Sequence, residues 1–179
     1  MIVLCRHGAT DGNLAGAFLS SGDPPLNALG RTQSERLRAA LFAMKFGVAF
    51  ASPMRRCVET LAIVAPDVPS SVREELREIG FGEWEGRTVE WLEIHDPDGV
   101  ARRRSDPASF RPAGGESFLD VARRLHPFVE ALRSRTAGDA LVVAHRGTLG
   151  VLERLLRGLP TGSREVTPLE LGEYRLLTE

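Results

Sequence analysis

The amino-acid sequence predicts a three-layer α/β/α fold with a mostly parallel central sheet and a small irregular cap. Three observations support this prediction: short runs made only of apolar residues, polar residues directly after each run, and helical patterns between the runs. Strands that are apolar throughout are typical of parallel sheets covered on both faces. The alternation of strands with helices is typical of α/β proteins, whose helices pack on both sides of the sheet.

The apolar runs are interpreted as three buried strands. They are residues 2–5, 48–51 and 140–144. In open α/β sheets, ligands bind outside the carboxyl ends of the strands. The three strand ends place a set of polar side chains at one edge of the sheet: Arg6, His7, Ser52, Arg56, His145 and Arg146.

Apolar residues at helical spacing predict four longer helices. They are residues 28–46, 54–64, 117–135 and 148–159. We expect Gly47 to end the first helix, because glycine is a common helix stop. Pro66 should close the second, and Pro127 should kink the third, because proline removes a backbone donor and clashes with the preceding turn.

Proline and glycine mark the remaining segments. Residues 96–115 are rich in both and are predicted to be irregular, after a short helix at residues 88–95. Together these segments form a cap or insertion over about residues 87–115. The tail, residues 165–178, is predicted to form a hairpin at the edge of the sheet. No repeat or linker is evident, so residues 1–179 are expected to form one domain.

The composition is that of an ordinary globular domain, with 42% hydrophobic and 26% charged residues. The formal net charge is −1, so no overall basic field favours nucleic acid or an anionic membrane as a partner. Lys45 is the only lysine among 23 basic residues. An arginine can therefore be assigned a function only from its context.

The two cysteines, Cys5 and Cys57, are too few for a disulfide framework and lack the spacing of zinc or redox motifs. The apolar run before Arg6 is too short for a signal peptide. No run approaches the ~20 apolar residues of a transmembrane helix. We therefore expect reduced cysteines and a location in the cytoplasm.

One segment carries a recognisable signature. Residues 6–13, RHGATDGN, resemble the R-H-G-x-T-x-x-N motif of the histidine phosphatase superfamily, which includes the cofactor-dependent phosphoglycerate mutases. Five further segments resemble motifs of that family in the same order. They are residues 23–33 (D-x-P-L-x-x-x-G-x-x-Q), 52–60 (S-P-L-x-R-A-x-x-T), 76–86 (L-x-E-x-x-F-G-x-W-E-G), 114–117 (G-G-E-S) and 142–147 (V-V-x-H-x-G).

These residue types suit phosphoryl transfer. A phosphomonoester carries about two negative charges at neutral pH, and the transferring group spreads charge over three oxygens, so several fixed donors are needed. Arginine forks match phosphate geometry in two-point contacts. A neutral imidazole can attack phosphorus and form a phosphohistidine, which divides one difficult step into two easier ones.

The resemblance implies a role for each matching residue. His7 is the nucleophile, with its other ring nitrogen tied to a backbone carbonyl that fixes the tautomer. Arg6, Arg56 and His145 hold the phosphoryl oxygens, with Asn13 as a weaker donor or, alternatively, a helix cap. The resemblance implies no metal and no cofactor, because cationic side chains take the place of a metal ion.

Glu78 matches the family's general acid, which protonates the leaving alcohol and then deprotonates the attacking water. The segment around it is rich in glutamate, and Glu83 is the alternative. Arg146 stands where many members of the family have a small residue, usually glycine. It could contact phosphate, point outward or restrict the pocket.

Other conspicuous residues have simpler interpretations. Trp84 and Trp91 are expected to be packing residues, and Cys57, which replaces the family's usual alanine, is expected to change packing only. The run Arg102 to Arg104 is either a solvated charge cluster or a contact for an anionic substrate.

Three functions remain open. The first is a metal-independent phosphatase of the histidine acid phosphatase type, acting on a small phosphorylated metabolite. The second is a phosphoglycerate mutase-type transfer, which is less favoured because only 88 residues lie between Arg56 and His145. The third is a phosphate-binding module without turnover, which is disfavoured because the nucleophile, second histidine and acid are all present. The sequence does not indicate an oligomeric state.

Overall fold

A five-stranded sheet forms the centre of the fold in the computed structural model of the chain, which describes residues 1–14, 16–135 and 138–178. Its strands are β1 (Ile2–Arg6), β2 (Phe46–Ala51), β3 (Ser70–Val72), β4 (Asp139–Ala144) and β5 (Tyr174–Leu177). The strand order is β3-β2-β4-β1-β5. Strand β5 is antiparallel to β1, and the other pairs are parallel. The predicted α/β class with a mostly parallel sheet is confirmed.

Seven helices are present in the described part of the chain. They are α1 (Asp11–Leu14), α2 (Ala28–Ala40), α3 (Arg55–Val64), α4 (Val89–His95), α5 (Pro97–Ser105), α6 (Phe118–Ser134) and α7 (Arg146–Leu156). Helix α6 continues through Pro127. None of the helices described is long and apolar enough to cross a membrane.

The sheet is covered on both faces, which explains why its central strands are apolar throughout. Val3 and Cys5 of β1 pack with the buried residues of α2 and α3. Leu4, between them, packs with the buried residues of α6 and α7 on the opposite face. Successive side chains of a strand point to opposite faces, so a strand buried on both sides has no position left for a polar residue.

Two helices have boundaries that differ from the prediction by two residues or more. Helix α2 ends at Ala40 instead of residue 46, because the chain turns at residues 41–43 and Phe46 already belongs to β2, where it pairs with Asp139. Gly47 therefore lies inside a strand and is not a helix stop. Helix α7 begins at Arg146, two residues before the predicted start, because the extended backbone of His145 leads directly into its first turn.

The prediction that residues 96–115 are irregular is wrong for the first half of that segment. Residues 97–105 form helix α5, with Pro97 in its first turn. The Asp96 side chain caps this helix by accepting a hydrogen bond from the Gly99 backbone N–H at 3.0 Å. Proline is favourable at the first position of a helix, where its missing N–H is not needed. From residue 106 to 115 the chain has no helix or strand, as expected.

The predicted hairpin at the tail is also wrong in part. Only β5 is a strand there; residues 165–173 contain none. Strand β5 pairs with β1 and lies at the edge of the sheet, as predicted for the tail. The turn that precedes β5 forms hydrogen bonds with the end of β1 and the residue after it. The Gly172 N–H donates to the His7 carbonyl at 3.2 Å, and the Arg6 N–H donates to the Glu173 carbonyl at 2.9 Å. Those bonds replace the expected local pairing.

Candidate active site

The carboxyl ends of β1 and β4 open into a cavity of about 470 Å³, called the strand-end cavity below. Five of the residues singled out from the sequence line it: Arg6, His7, Asn13, Glu78 and Arg146. The other two, Arg56 and His145, do not line the cavity. Each is only 1% exposed. The predicted site residues therefore form two layers, one that lines the cavity and one behind it.

His7 is held from several sides at the end of β1. Its backbone N–H donates to the Ala144 carbonyl at 3.1 Å, which ties it to the end of β4. Its ring Nδ1 lies 2.7 Å from the Gly8 carbonyl oxygen. A carbonyl can only accept, so Nδ1 carries the proton and donates it. The other ring nitrogen, Nε2, is then left with a free lone pair, which a nucleophile needs.

The surroundings of His7 also set its charge. Burial and the neighbouring charge of Arg56 lower the pKa of His7 to about 3. The hydrogen bond to Gly8 opposes this shift, and Arg6 adds to it. Desolvation and nearby positive charge both disfavour the protonated ring. His7 is therefore neutral at physiological pH.

Arg6 and Arg56 present unsatisfied donors. One terminal nitrogen of Arg56 donates to the Gly22 carbonyl at 2.8 Å, and one of Arg6 donates to the Leu169 carbonyl at 3.1 Å. The Nε atoms of both side chains are buried and have no hydrogen-bond partner among the described residues. A buried donor without a partner is costly. An anion with several oxygens would satisfy both.

His145 lies beside His7, with 5.1 Å between the ring centres and the rings edge to face. Its Nε2 is 2.7 Å from the Ser52 hydroxyl oxygen, and the Cys57 sulfur is 3.5 Å from the same nitrogen. Burial, and then the neighbouring charges of His7 and Arg56, lower the pKa of His145 well below its ordinary value. The site therefore combines two neutral imidazoles with two arginines.

Glu78 is fixed at the N-terminus of α7. Its carboxylate accepts from the backbone N–H groups of Ile79 at 2.9 Å, Thr148 at 3.0 Å and Gly147 at 3.2 Å. A side chain at position 147 would clash, because its Cβ would lie 2.8 Å from a Glu78 oxygen. This explains the glycine of the H-x-G segment. Glu83 is exposed and does not line the cavity, so the structure places Glu78 in the site and not Glu83.

Asn13 and Arg146 complete the polar lining. The Asn13 side-chain oxygen accepts from the Thr10 hydroxyl at 2.8 Å, so its NH₂ group remains as the possible donor to a ligand. The Arg146 side chain is 50% exposed and lies 3.4 Å from a Glu170 oxygen. Glu170 also lies 3.5 Å from Arg6. Arg146 is thus a partly solvated residue of the cavity wall.

Three residues without an assigned role in the sequence hold the site together. Ser52 contacts His145, Thr148 contacts Glu78 through both its backbone N–H and its hydroxyl, and the Thr60 hydroxyl accepts from the Gly8 N–H at 3.1 Å. Ser52 and Thr60 lie inside the S-P-L-x-R-A-x-x-T resemblance. Ser52 was already placed at the edge of the sheet as a strand-end residue, and for Thr60 its position in the motif was the signal that could have identified it.

Of the two tryptophans, Trp84 is a packing residue. It is 4% exposed and its indole N–H donates to Asp96 at 2.9 Å. Trp91 is 37% exposed and stacks on His95 with 3.9 Å between the ring centres. Neither lines the strand-end cavity.

A larger cavity of about 510 Å³ lies beside β5 but has fewer reactive side chains in its lining. Its one buried carboxylate, Glu153, already pairs with Arg157 at 3.3 Å and Arg175 at 2.5 Å. No histidine lines it among the residues that the structure describes. The reactive groups are concentrated at the strand ends.

Comparison with known proteins agrees with this geometry. The family model of the histidine phosphatase superfamily (branch 1) matches residues 2–178. The chain belongs to this superfamily. The match covers every motif segment described above, from β1 to β5. Arg6, His7, Arg56 and His145 all lie within the matched residues.

The relatives of this histidine phosphatase differ in the activities for which they are named. The adenosylcobalamin/alpha-ribazole phosphatase of Escherichia coli (strain K12) is 31% identical over 160 residues, 88% of this chain and 79% of that protein. A 2,3-bisphosphoglycerate-dependent phosphoglycerate mutase of Methylobacterium sp. (strain 4-46) is 31% identical over 176 residues, 90% of this chain and 82% of that protein. The solved structure of mycobacterial glucosyl-3-phosphoglycerate phosphatase with VO3 has a TM-score of 0.88 and 28% identity, covering 97% of this chain and 90% of that one.

The two buried histidines predict that the histidine phosphatase loses stability in mild acid. The pKa of His7 falls from 6.5 to about 3 on folding, so between these values the unfolded chain binds a proton that the folded chain does not. The stabilising contribution is therefore complete above pH 6.5 and is lost as the pH falls toward 3. Each such histidine contributes a slope of about 1.4 kcal/mol per pH unit.

Urea unfolding between pH 6.5 and 5.0 measures this slope. We expect the slope to be smaller by roughly one proton in His7→Asn than in the wild type. His126→Asn is the matched control, because the His126 side chain is 67% exposed. Equal slopes in His7→Asn and the wild type would show that His7 is already protonated near pH 6.

Proposed function

We propose that this chain hydrolyses phosphomonoesters of small metabolites through a phosphohistidine formed on His7. The observation that carries the proposal is a buried, neutral imidazole with a free Nε2, placed beside two arginines whose Nε donors lack partners among the described residues. The phosphatase relatives support the same reaction type.

In the first step, His7 Nε2 attacks phosphorus, so that a P–N bond forms and the ester P–O bond breaks. Arg6, Arg56 and His145 donate to the three non-bridging oxygens, where charge is concentrated in the transition state. The proton stays on Nδ1, and its hydrogen bond to the Gly8 carbonyl stabilises the positive charge that develops on the ring. The leaving oxygen takes a proton from the Glu78 carboxyl group.

In the second step, water attacks the phosphohistidine. The Glu78 carboxylate accepts a proton from the water, the P–N bond breaks, and its electron pair returns to His7 Nε2. Inorganic phosphate leaves and Glu78 is again protonated. The sum of the two steps is one ester and one water converted to one alcohol and one phosphate.

The proton that Glu78 delivers can arrive with the substrate. The three backbone N–H groups hold the Glu78 carboxylate in place beside the cavity. A substrate that arrives as a monoanion can supply this proton, since the second phosphate pKa is about 6.

A mutase is the second candidate, because one relative is a phosphoglycerate mutase by name. In that reaction an alcohol of a second substrate replaces water. We expect hydrolysis to dominate here. With 3-phosphoglycerate and catalytic 2,3-bisphosphoglycerate, released inorganic phosphate should exceed newly formed 2-phosphoglycerate by more than about tenfold, a partitioning difference of about 1.4 kcal/mol. Measuring both products in one reaction checks this, and an excess of 2-phosphoglycerate would assign the chain to the mutases.

The proposal also includes the domain organisation of the chain and its location in the cell. Residues 1–179 form one catalytic domain, in which α4 and α5 make up the cap predicted over about residues 87–115; Glu179 lies outside the described residues. The enzyme works in the cytoplasm, which is supported by two free and buried cysteines, Cys5 and Cys57.

A further inference from the structure

The strand-end cavity has a second positive wall that the proposed chemistry does not use. Arg103 of α5 and Arg154 of α7 line it, in addition to Arg6 and Arg146. Both guanidinium groups lie 5.8 Å from the ring centre of Phe118, so one aromatic side chain joins them. Much of the remaining lining is apolar: Phe18, Leu19, Ile79, Phe81, Val166 and Pro168.

Arg103 has the environment of a ligand-binding arginine. Its guanidinium also lies 5.4 Å from the Phe18 ring centre and 5.6 Å from that of Trp84. Among the described residues it forms no ion pair and donates no hydrogen bond to a protein atom. Burial lowers the pKa of Arg103, with the charge of Glu78 opposing the shift. Aromatic rings support the faces of a guanidinium and leave its in-plane N–H donors free for an anion.

Arg154 extends the same positive region. Its Nε donates to the Ser163 carbonyl at 2.7 Å, and within the described ranges no carboxylate pairs with it. An adjoining groove of about 450 Å³, the arginine groove, shares Arg103, Phe118 and Arg154 with the strand-end cavity. Arg104 and Arg164 also line the groove, and no aspartate or glutamate of the described chain does. Such a region attracts negative charge.

The three consecutive arginines of α5 therefore have different surroundings. Arg102 lies 5.7 Å from the ring centre of Phe110, and Arg104 pairs with Glu93 at 2.5 Å. Only Arg103 of the three lines the strand-end cavity. Of the three arginines, Arg103 is therefore the one placed to contact an anionic substrate in this cavity.

We propose that Arg103 and Arg154 form a second anion-binding subsite, so that the preferred substrate is a phosphomonoester whose leaving group carries a further carboxylate or phosphoryl group. The apolar lining accommodates the body of the leaving group, and the two guanidinium groups bind its distal anion. This inference rests on the proposed function, because it names the class of substrate for the same cavity. A charge-assisted hydrogen bond to arginine discriminates strongly between a charged and an uncharged leaving group.

The test compares matched esters of increasing chain length: alkyl phosphates, the same chains ending in a carboxylate, and the same chains ending in a second phosphate. For the best chain length, wild-type kcat/KM should favour an anionic ester over its alkyl counterpart by about tenfold or more, as one charge-assisted bond gives. This ratio should fall about 10- to 100-fold in Arg103→Met and in Arg154→Met. The carboxylate and bisphosphate arms identify which anion is preferred.

Arg102→Met is the control, since it removes a charge from the same helix outside the cavity; its ratio should equal that of the wild type. Calorimetry with 4-phosphonobutanoate and butylphosphonate measures the subsite without turnover and should show the same preference. Equal binding of the two phosphonates, or an unchanged ratio in both arginine variants, would overturn the subsite. Absence of hydrolysis with every ester, together with selective binding of 4-phosphonobutanoate, would overturn the proposed function and leave the subsite standing.

Discussion

Replacing His7 by alanine is expected to lower kcat by a factor on the order of 10⁴ or more and to abolish a phosphoryl-enzyme intermediate. The large effect follows from the geometry. His7 Nε2 is the nucleophile of the first step in the proposed mechanism, and its free lone pair is secured by the Nδ1 contact to Gly8 at 2.7 Å. Without the imidazole, water must attack the ester directly and the reaction loses its two-step path.

Rapid quenching with ³²P-labelled substrate measures the intermediate. The wild type should carry label that is stable in base and labile in acid, and His7→Ala should carry none. His126→Ala serves as the matched control, because that histidine is exposed and remote from the cavity lining. Label that maps to a serine or cysteine would mean that a different residue is the nucleophile.

Replacing Glu78 by glutamine is expected to slow hydrolysis of an alkyl phosphate by ~10²–10⁴ while affecting p-nitrophenyl phosphate much less in the first step. A poor leaving group needs a proton in the transition state, whereas p-nitrophenolate leaves without one. Because water attack also uses the Glu78 carboxylate, the variant should show a burst of p-nitrophenol followed by slow turnover. Stopped-flow absorbance resolves the two phases.

Glu83→Gln is the control, because Glu83 belongs to the same glutamate-rich segment but is exposed and outside the cavity lining. Its kinetics should resemble those of the wild type. Glutamine at position 78 keeps one oxygen for the N–H groups of Ile79 and Thr148 but loses an acceptor for Gly147, so circular dichroism must show that the variant is folded. Near-normal alkyl phosphate turnover in Glu78→Gln with loss of activity in Glu83→Gln would transfer the role to Glu83.

The central strands were predictable from the sequence because a strand buried on both faces must be apolar at every position. Strand β3 was not, because Ser70 and Ser71 lie on an exposed three-residue edge strand with no apolar pattern. Helix α5 was missed for another reason. Pro97 and Gly99 interrupt a helix in most positions but are compatible with its first turn when Asp96 caps it.

The residues of the site were predictable because strand ends converge at one edge of the sheet. Which of them line the cavity and which lie behind it was not predictable. Nothing in the sequence indicates that Arg56 and His145 are buried while Arg146 is half-exposed. The selection of Arg103 from its neighbours depends on the rotation of about 100° between successive helical residues. Residues 96–115 are predicted from the sequence to be irregular, so the sequence provides no helical geometry from which to tell Arg103 from its neighbours.

The position of β1 within the sheet has a consequence for how the enzyme acquires activity during synthesis. Strand β1 is the first strand in the chain, yet both of its neighbours, β4 and β5, lie beyond residue 138. Contacts between such distant segments close a long loop of chain and form slowly. The segment that carries His7 therefore leaves the ribosome long before its partners exist, and a nascent chain acquires a working centre only after β4 and β5 have been translated.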